Sequence, residues 1–369
     1  MKILLVRHYR PDALRSMMEF GSAVANYLET HQYDVRSIEP RAILGKGKNT
    51  MAGKAKLLGY ADKFILFPRE LRRAAKEADV VHLCGPIHAL YMSHLQAKPC
   101  LVTCHDLLAG KARLGEAGDH KVEGSGKKLQ DMIWANLPKA DHIACVSSAT
   151  LRDLQQYMKL KPGQGSVIWN GVYEPITRMP HEKSARELKV LGVEEPYLFH
   201  LGGNQFYKNR RGVVRIFAEL KKLPGTERLK LVMAGKPLPS DVRQAIDESG
   251  VSKDITVHVD VSFDAKVALY SRAHALLFPS TAEGFGLPLV ESQMCGTPVI
   301  TSDISPMNEI VADSGVLIDP HDEAGAAAKI HARLWSLSDL VPAGYENAKR
   351  FQIDRMGEDY VAAYRRILR

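Results

Sequence analysis

The chain has 369 residues, 45% hydrophobic and 25% charged, with a formal net charge of +8; this composition excludes disordered and collagen-like classes and leaves length for two cores. No apolar run approaches the roughly 20 residues of a membrane-crossing helix, and the N-terminal MKILLVRHYRP reads as a first strand and not a signal peptide, because its apolar run is short and no small-residue cleavage site follows. Five cysteines, at 84, 100, 104, 145 and 295, form no CxxC pair, so reduced, structural thiols are expected in place of a zinc ribbon or a full disulfide framework.

From the N-terminus, short β-rich runs alternate with longer helical patterns, the signature of a parallel α/β sheet. Strands are predicted over 3–6, 34–38, 80–83, 100–103, 142–146 and 166–169, and helices over 17–30, 69–77 and 129–137. In such sheets ligands gather beyond the carboxyl ends of the strands. Residues 1–180 carry 26 Lys and Arg against 17 Asp and Glu, which points to an anionic partner for this half. Within it, residues 41–67 mix Lys46, Lys48, Lys54, Lys56 and Lys63 with Leu57, Leu58, Tyr60, Phe64, Ile65 and Leu66. Such a stretch either lies in the headgroup zone of an anionic membrane or forms a helix face with its lysines in water and their stems on the core; the sequence leaves both open.

Asn170-Gly171, Pro175 and Pro180 mark a linker, after which a matching set of runs is predicted as strands over 197–201, 230–233, 255–259, 275–278, 298–301 and 316–318. The expected organisation is one α/β domain over 1–172, a second over 173–350, and a terminal helix over 351–369 with apolar spacing at Met356, Tyr360, Val361, Tyr364 and Ile367.

The most informative stretch is PSTAEGFGLPLVES, from Pro279 to Ser292. The apolar run Leu276, Leu277 and Phe278 reads as a buried strand stopped by Pro279. Gly284 and Gly286 allow a tight turn, Pro288 suits a first helical turn, and Leu289, Val290, Met294 and Cys295 form an apolar helical stripe. Glu283 is therefore placed in the loop and Glu291 on the helix. A helix start with bare N–H groups and a positive dipole seats phosphate, and two flanking carboxylates accept hydrogen bonds from hydroxyls on either side of it. A nucleotide sugar has this layout.

This stretch resembles the E-x7-E motif of the retaining glycosyltransferases of family 4. The resemblance implies the GT-B fold, in which two Rossmann-like domains face each other across a cleft and a C-terminal helix crosses back to the first domain. It assigns Glu283 and the amides of Gly284, Phe285, Gly286 and Leu287 to the donor sugar, and Glu291 to the ribose. The segment HLGGNQFYKNRRGVVRIFAEL ends a strand at Gly202 and Gly203 and begins a helix near Asn209. Lys208 is the first choice for a diphosphate contact, assisted by Arg210 or Arg211, because the leaving diphosphate gains negative charge at the transition state. Glycine and asparagine stand where the family often has a Gly-Arg pair, so which arginine assists stays open. The turns at Gly235-Lys236 and Asp260-Val261 are where the base is expected to stack.

In the first half, LVTCHDLLAG sets His105 and Asp106 beyond a strand's carboxyl end. Resemblance to the family's HD segment assigns His105 to the donor sugar and Asp106 to orienting it or approaching the acceptor. Cys104, His105 and Asp106 cannot form a nucleophilic triad, since neighbours on an extended chain point apart. The segment RHYRPDALRSMMEFG, with Arg10, is expected to face the acceptor, and of the paired glycines common in the family here only Gly21 is present.

The sequence holds no GxxxxGK[ST], complete GxGxxG, GxSxG, HExxH or Asp-x-Asp, and its histidines fall in no recognisable metal spacing. The expected activity is a metal-independent, retaining transfer of a hexose from a UDP- or GDP-sugar to a hydroxyl of a glycan or lipid-linked acceptor. No cofactor and no nucleic-acid partner are expected, and the place of action is the cytosol or the inner face of the membrane. The alternatives are a GT-B relative that epimerises or hydrolyses the nucleotide sugar, a silent nucleotide-sugar binder, and a nucleic-acid-binding protein using its basic half.

Overall fold

Two six-stranded parallel sheets organise the computed structural model, which describes residues 1–48, 50, 53–95, 97–116 and 122–369. One unit comprises Met1–Tyr173 and Ile353–Arg369, the other Glu174–Gln352. In the first, β1 (Lys2–Val6), β2 (Asp34–Ile38), β3 (Val80–Leu83), β4 (Cys100–Cys104), β5 (His142–Cys145) and β6 (Gly165–Val167) lie in the order β2-β1-β3-β4-β5-β6. In the second, β7 (Tyr197–Gly202), β8 (Lys230–Gly235), β9 (Ile255–Val259), β10 (Ala275–Phe278), β11 (Val299–Ser302) and β12 (Gly315–Ile318) run β12-β11-β10-β7-β8-β9. Every strand expected from the sequence forms, with ends within two residues, because the apolar runs suit strands covered by helices on both faces.

Alternation along β1 shows how the first core is built. Leu4 and Val6 face a cluster with Leu71, Tyr91 and Leu137. Ile3 and Leu5 face the opposite cluster, which takes Phe20, Val24 and Leu28 from the helix Arg15–Thr30 and Met356, Tyr360, Val361 and Tyr364 from the helix Ile353–Ile367. The C-terminal helix thus completes the first unit's core. Gly357 lets the two helices meet, since a Cβ there would stand 2.2 Å from the Tyr27 ring. His82, fully buried on β3, bonds Tyr364 Oη at 2.7 Å and Thr103 Oγ1 at 2.8 Å, and Thr103 in turn bonds Tyr360 Oη at 2.9 Å. The second core packs Val213, Val214, Phe217 and Leu220 of the helix Arg210–Leu220 onto Leu231, Met233, Leu277 and Ile300.

The basic stretch departs from both sequence expectations at one lysine. Lys63 is buried, its Nζ donating to Asp12 Oδ2 at 2.7 Å, while Thr50 Oγ1 donates to the other oxygen at 2.6 Å. Its neighbour Asp62 accepts from Tyr9 Oη at 2.6 Å and from the amides of Ile43, Leu44 and Gly45. The buried Asp12 carboxylate needs a cation, and Lys63 supplies it. Lys46, Lys48 and Lys54 are exposed; residues 49, 51 and 52 of this stretch lie outside the described residues. No described helix is long and apolar enough to cross a membrane.

Candidate active site

The order of the second sheet reverses between β7 and β10, and ligands in open α/β sheets bind at such a switch point, beyond the strand ends. The loops that leave these two strands are tied together there. Gly235 makes the close strand approach possible: its φ is +135°, and a Cβ would stand 2.0 Å from the Gly202 carbonyl oxygen. Beyond β7, Asn209 adopts the left-handed conformation (φ 49°) and caps the helix Arg210–Leu220, its Oδ1 accepting from the Gly212 amide at 3.1 Å. Its Nδ2 donates to the Pro279 carbonyl at 2.9 Å, and the Thr281 amide donates to the Tyr207 carbonyl at 2.8 Å. One asparagine therefore fixes both the helix start and the loop after β10.

This stitching brings Lys208 and Glu283 together. Lys208 Nζ donates to both carboxylate oxygens, at 2.8 and 2.9 Å, with side-chain exposures of 16% and 6%. The ammonium also lies 5.1 Å from the centre of the Phe278 ring. Two residues on, the Arg210 guanidinium is buried, and its Nη1 donates to Asn204 Oδ1 at 2.7 Å and the Lys236 carbonyl at 2.9 Å. Its Nε and Nη2 are buried with no partner among the described residues, and burial lowers its pKa. Arg211 does not join the group: it is exposed, because successive helical residues point about 100° apart.

Gly286, at φ +110°, starts the helix Leu287–Met294 with no side-chain cap, and Gly284 and Leu287 beside it are half-buried. The Phe285 side chain is buried and meets Phe351 edge-on at 5.5 Å, which leaves its backbone amide, the group expected at the donor sugar, as the part that could meet a ligand. Glu291, one turn along, accepts from Lys266 Nζ at 3.2 Å and Tyr270 Oη at 2.9 Å, and Lys266 also reaches Glu174 at 3.2 Å. Burial would lower the Lys266 pKa, but the Glu291 and Glu174 carboxylates outweigh it and the value rises. Burial, then Glu291, pushes the Tyr270 phenol well up. Sequence reasoning missed Lys266 and Tyr270; the available signal was their i, i+4 spacing on the helix Phe263–Arg272, which puts them on one face.

In the first unit, the sheet order reverses between β1 and β3, and histidines gather beyond the ends of β1, β3 and β4. His105 is buried and its Nε2–H donates to the Cys84 carbonyl at 3.0 Å, which leaves Nδ1 as an acceptor in the neutral ring. Burial pushes its pKa down to about 4 against the opposing pull of that carbonyl. The rings of His8 and His88, which sequence reasoning also missed, lie 4.4 Å apart, with His105 6.5 Å from His8. Burial lowers the His88 pKa to about 3 and the His8 value well below the ordinary range. Asp106 Oδ1 accepts from the Leu108 amide at 3.0 Å and so sets the start of the helix Leu108–Arg113. Arg10 is an exposed residue whose Nε pairs with Glu39, and it stays outside the buried histidine group.

The description Glycosyltransferase Family 4 matches residues 24–174, and Glycosyl transferases group 1 matches residues 183–350. The chain is 30% identical over 306 residues to D-inositol 3-phosphate glycosyltransferase of Acidothermus cellulolyticus, covering 78% of this chain and 67% of that protein. It is 28% identical over 268 residues to the Corynebacterium efficiens protein of the same name, covering 69% of this chain and 62% of the relative; the match thus spans about three-fifths of that relative's length. Among solved structures, Anabaena Alr3699/HepE in complex with UDP and glucose is similar with a TM-score of 0.73 at 16% identity, covering 98% of this chain and 99% of that one. With two six-stranded parallel sheets and these matches, the chain belongs to glycosyltransferase family 4 and has the GT-B fold.

Proposed function

We propose that the chain transfers a hexose, with retention and without a metal, from a nucleotide-diphospho-sugar to a hydroxyl of a glycan or lipid-linked acceptor. The observation that carries this reading is the Lys208–Glu283 pair, 2.8 Å apart at the switch point, with the unpartnered N–H groups of Arg210 nearby in sequence. A phosphate bonded directly to a sugar needs an N–H donor and a hydroxyl acceptor side by side, and this pair supplies both. On donor binding Lys208 turns to the diphosphate and stabilises the charge that grows as it leaves, while Arg210 adds two further N–H groups. Glu283 accepts from a sugar hydroxyl, and Glu291, steadied by Lys266 and Tyr270, accepts from the ribose.

The amides of Gly284 to Leu287 lead into an uncapped helix start suited to an anion. His105, neutral at physiological pH, offers Nδ1 to a sugar hydroxyl and does not act as an acid. The acceptor oxygen attacks the face from which the diphosphate departs, and a leaving-group oxygen takes its proton, so Glu283 holds the sugar without becoming a nucleophile. Support comes from the UDP and glucose bound by the Anabaena neighbour and from the glycosyltransferase names of the two relatives. The place of action is the cytosolic face of a membrane, reached through exposed Lys46, Lys48 and Lys54.

The test is a thermal-shift panel of UDP, GDP and ADP, followed by a transfer assay with the matching hexose donor with and without EDTA. One diphosphate should stabilise the chain by about 2.7 kcal/mol at a hundredfold excess over Kd. Lys208→Ala should abolish that shift, and EDTA should leave transfer unchanged. Rapid donor consumption without acceptor would favour the hydrolase or epimerase instead, and no response to any nucleotide would remove the reading.

A further inference from the structure

A cavity in the first unit, built from other residues than those of the candidate site, has no place in this reading. It encloses about 310 Å³ between the turn Asp62–Leu66, the stretch Pro86–His94 and the helix Gly124–Asn136. Its walls are Phe64, Pro68, Leu90, Tyr91, Leu129 and Met132. That volume stands at the lower end of small-ligand pockets, about 300–1,000 Å³, and suits one slender apolar group.

Few polar groups line the cavity, among them Tyr60, His94, Ser125 and Lys128, and the charged groups on and beside it are basic. Lys128 lines the cavity itself, Lys56 Nζ reaches the lining Ser125 Oγ at 3.4 Å, and Arg72 directs Nε and Nη2 at the lining His94 Nδ1, at 3.4 and 3.3 Å. Among the described residues Lys56, Arg72 and Lys128 form no ion pair, and the buried hydroxyl of the lining Tyr60 has no partner. Leu57 and Ile65, in the same segment as Tyr60 and Phe64, are 69% and 70% exposed. A peptide would bring backbone N–H and C=O groups that the apolar wall side chains cannot satisfy. A hydrocarbon chain brings none, and an anionic head meets three cations that form no ion pair among the described residues.

We propose that this cavity binds the single hydrocarbon chain of an anionic lipid, with its phosphate held among Lys56, Arg72 and Lys128. The site is distinct from the proposed donor residues and stands whether or not the transferase reading does.

Calorimetry on the full chain with n-alkyl phosphates from hexyl to tetradecyl, each below its micelle concentration, tests this. Binding should saturate at one per chain, with affinity rising about fourfold per added methylene and levelling off once the cavity is full. The alcohol of equal length should bind at least tenfold more weakly, and inorganic phosphate should show no saturable binding. Met132→Trp, at a position 55% exposed and therefore tolerant of a larger ring, and Leu129→Phe should each weaken alkyl phosphate binding at least tenfold. Lys128→Glu should weaken the phosphate series and leave the alcohol unchanged. Affinity that climbs without levelling, equal binding of the alcohol, or indifference to both filling substitutions would overturn the proposal by showing unspecific partitioning. The thermal shift with nucleoside diphosphates, read on the same variants, reports separately on the transferase reading: its absence alongside the expected alkyl phosphate behaviour would sink that reading and support this one.

Discussion

Replacing Glu283 with glutamine keeps its shape and removes its charge, which isolates what the carboxylate contributes. In the folded chain Lys208 and Glu283 are 16% and 6% exposed and share two hydrogen bonds, at 2.8 and 2.9 Å. Breaking a buried pair by removing one partner costs about 3–5 kcal/mol. The glutamine carbonyl still accepts one bond from Lys208, recovering about 1 kcal/mol. Glu283→Gln should therefore lower unfolding stability by about 2–4 kcal/mol, or roughly 4–16 °C in Tm for a unit of this size. If the carboxylate also grips a sugar hydroxyl in the transition state, losing a charge-assisted bond of about 1.5–3 kcal/mol lowers kcat/KM by about 10- to 150-fold. The free nucleoside diphosphate should behave differently, binding as tightly or more tightly, because Lys208 no longer has to leave its carboxylate. Urea melts, steady-state kinetics and nucleotide titrations on the single variant, on Lys208→Met and on the double variant complete a cycle, with a coupling of about 0.5–3 kcal/mol expected. If diphosphate affinity falls in step with kcat/KM, Glu283 does not hold the sugar; if stability is unchanged, the pair does not form in solution.

Arg210→Lys should weaken nucleoside diphosphate binding by about 10- to 150-fold, the worth of one or more charge-assisted bonds, whereas Arg211→Ala on the exposed face should stay within about twofold by the same titration. Lys63→Met leaves the buried Asp12 carboxylate without its cation and should cost about 3–5 kcal/mol in a urea melt, while Lys46→Met should fall within about 0.5 kcal/mol; equal effects would refute the buried pair. Stability should also fall in mild acid. The pKa values of His82 and His88 are lowered to about 3 and that of His105 to about 4, chiefly by burial, so between pH 6.5 and about 4 the unfolded chain takes up protons that the folded chain refuses. With His200, lowered to about 3, and His8, lowered well below the ordinary range, also chiefly by burial, five such groups give a slope of up to about 7 kcal/mol per pH unit, with stability lost as pH falls, and His88→Leu should reduce that slope by about a fifth in pH-dependent denaturant melts.

Much of the fold was legible because the rules that specify it are local. Runs such as Leu276 to Phe278 make buried strands, glycine and proline end them, and the Pro279–Ser292 stretch carries its turn and helix start in its own spacing. Lys208, His105, Glu283 and Glu291 were legible as candidates because each follows a strand end or sits on the helix after one. Partnerships were harder to read. Lys266 and Tyr270 lie 25 and 21 residues from the Glu291 they hold, and only their common helix face hinted that they act together. Lys63 looked like one more lysine in a basic stretch until the chain brought it to Asp12, 51 residues earlier.

The sequence by itself determined the alternation of strand and helix, the chain's two-part pattern and the loop that carries Glu283, since backbone sterics and hydrophobic periodicity act within a few residues. Only the tertiary structure decided that Lys208 meets a carboxylate 75 residues away, that Arg210 and not Arg211 is buried, and that His8, His88 and His105 share one corner. The physical reason is that strand order, which no local rule sets, chooses which loops become neighbours, and the cost of burying charge then requires those neighbours to pair.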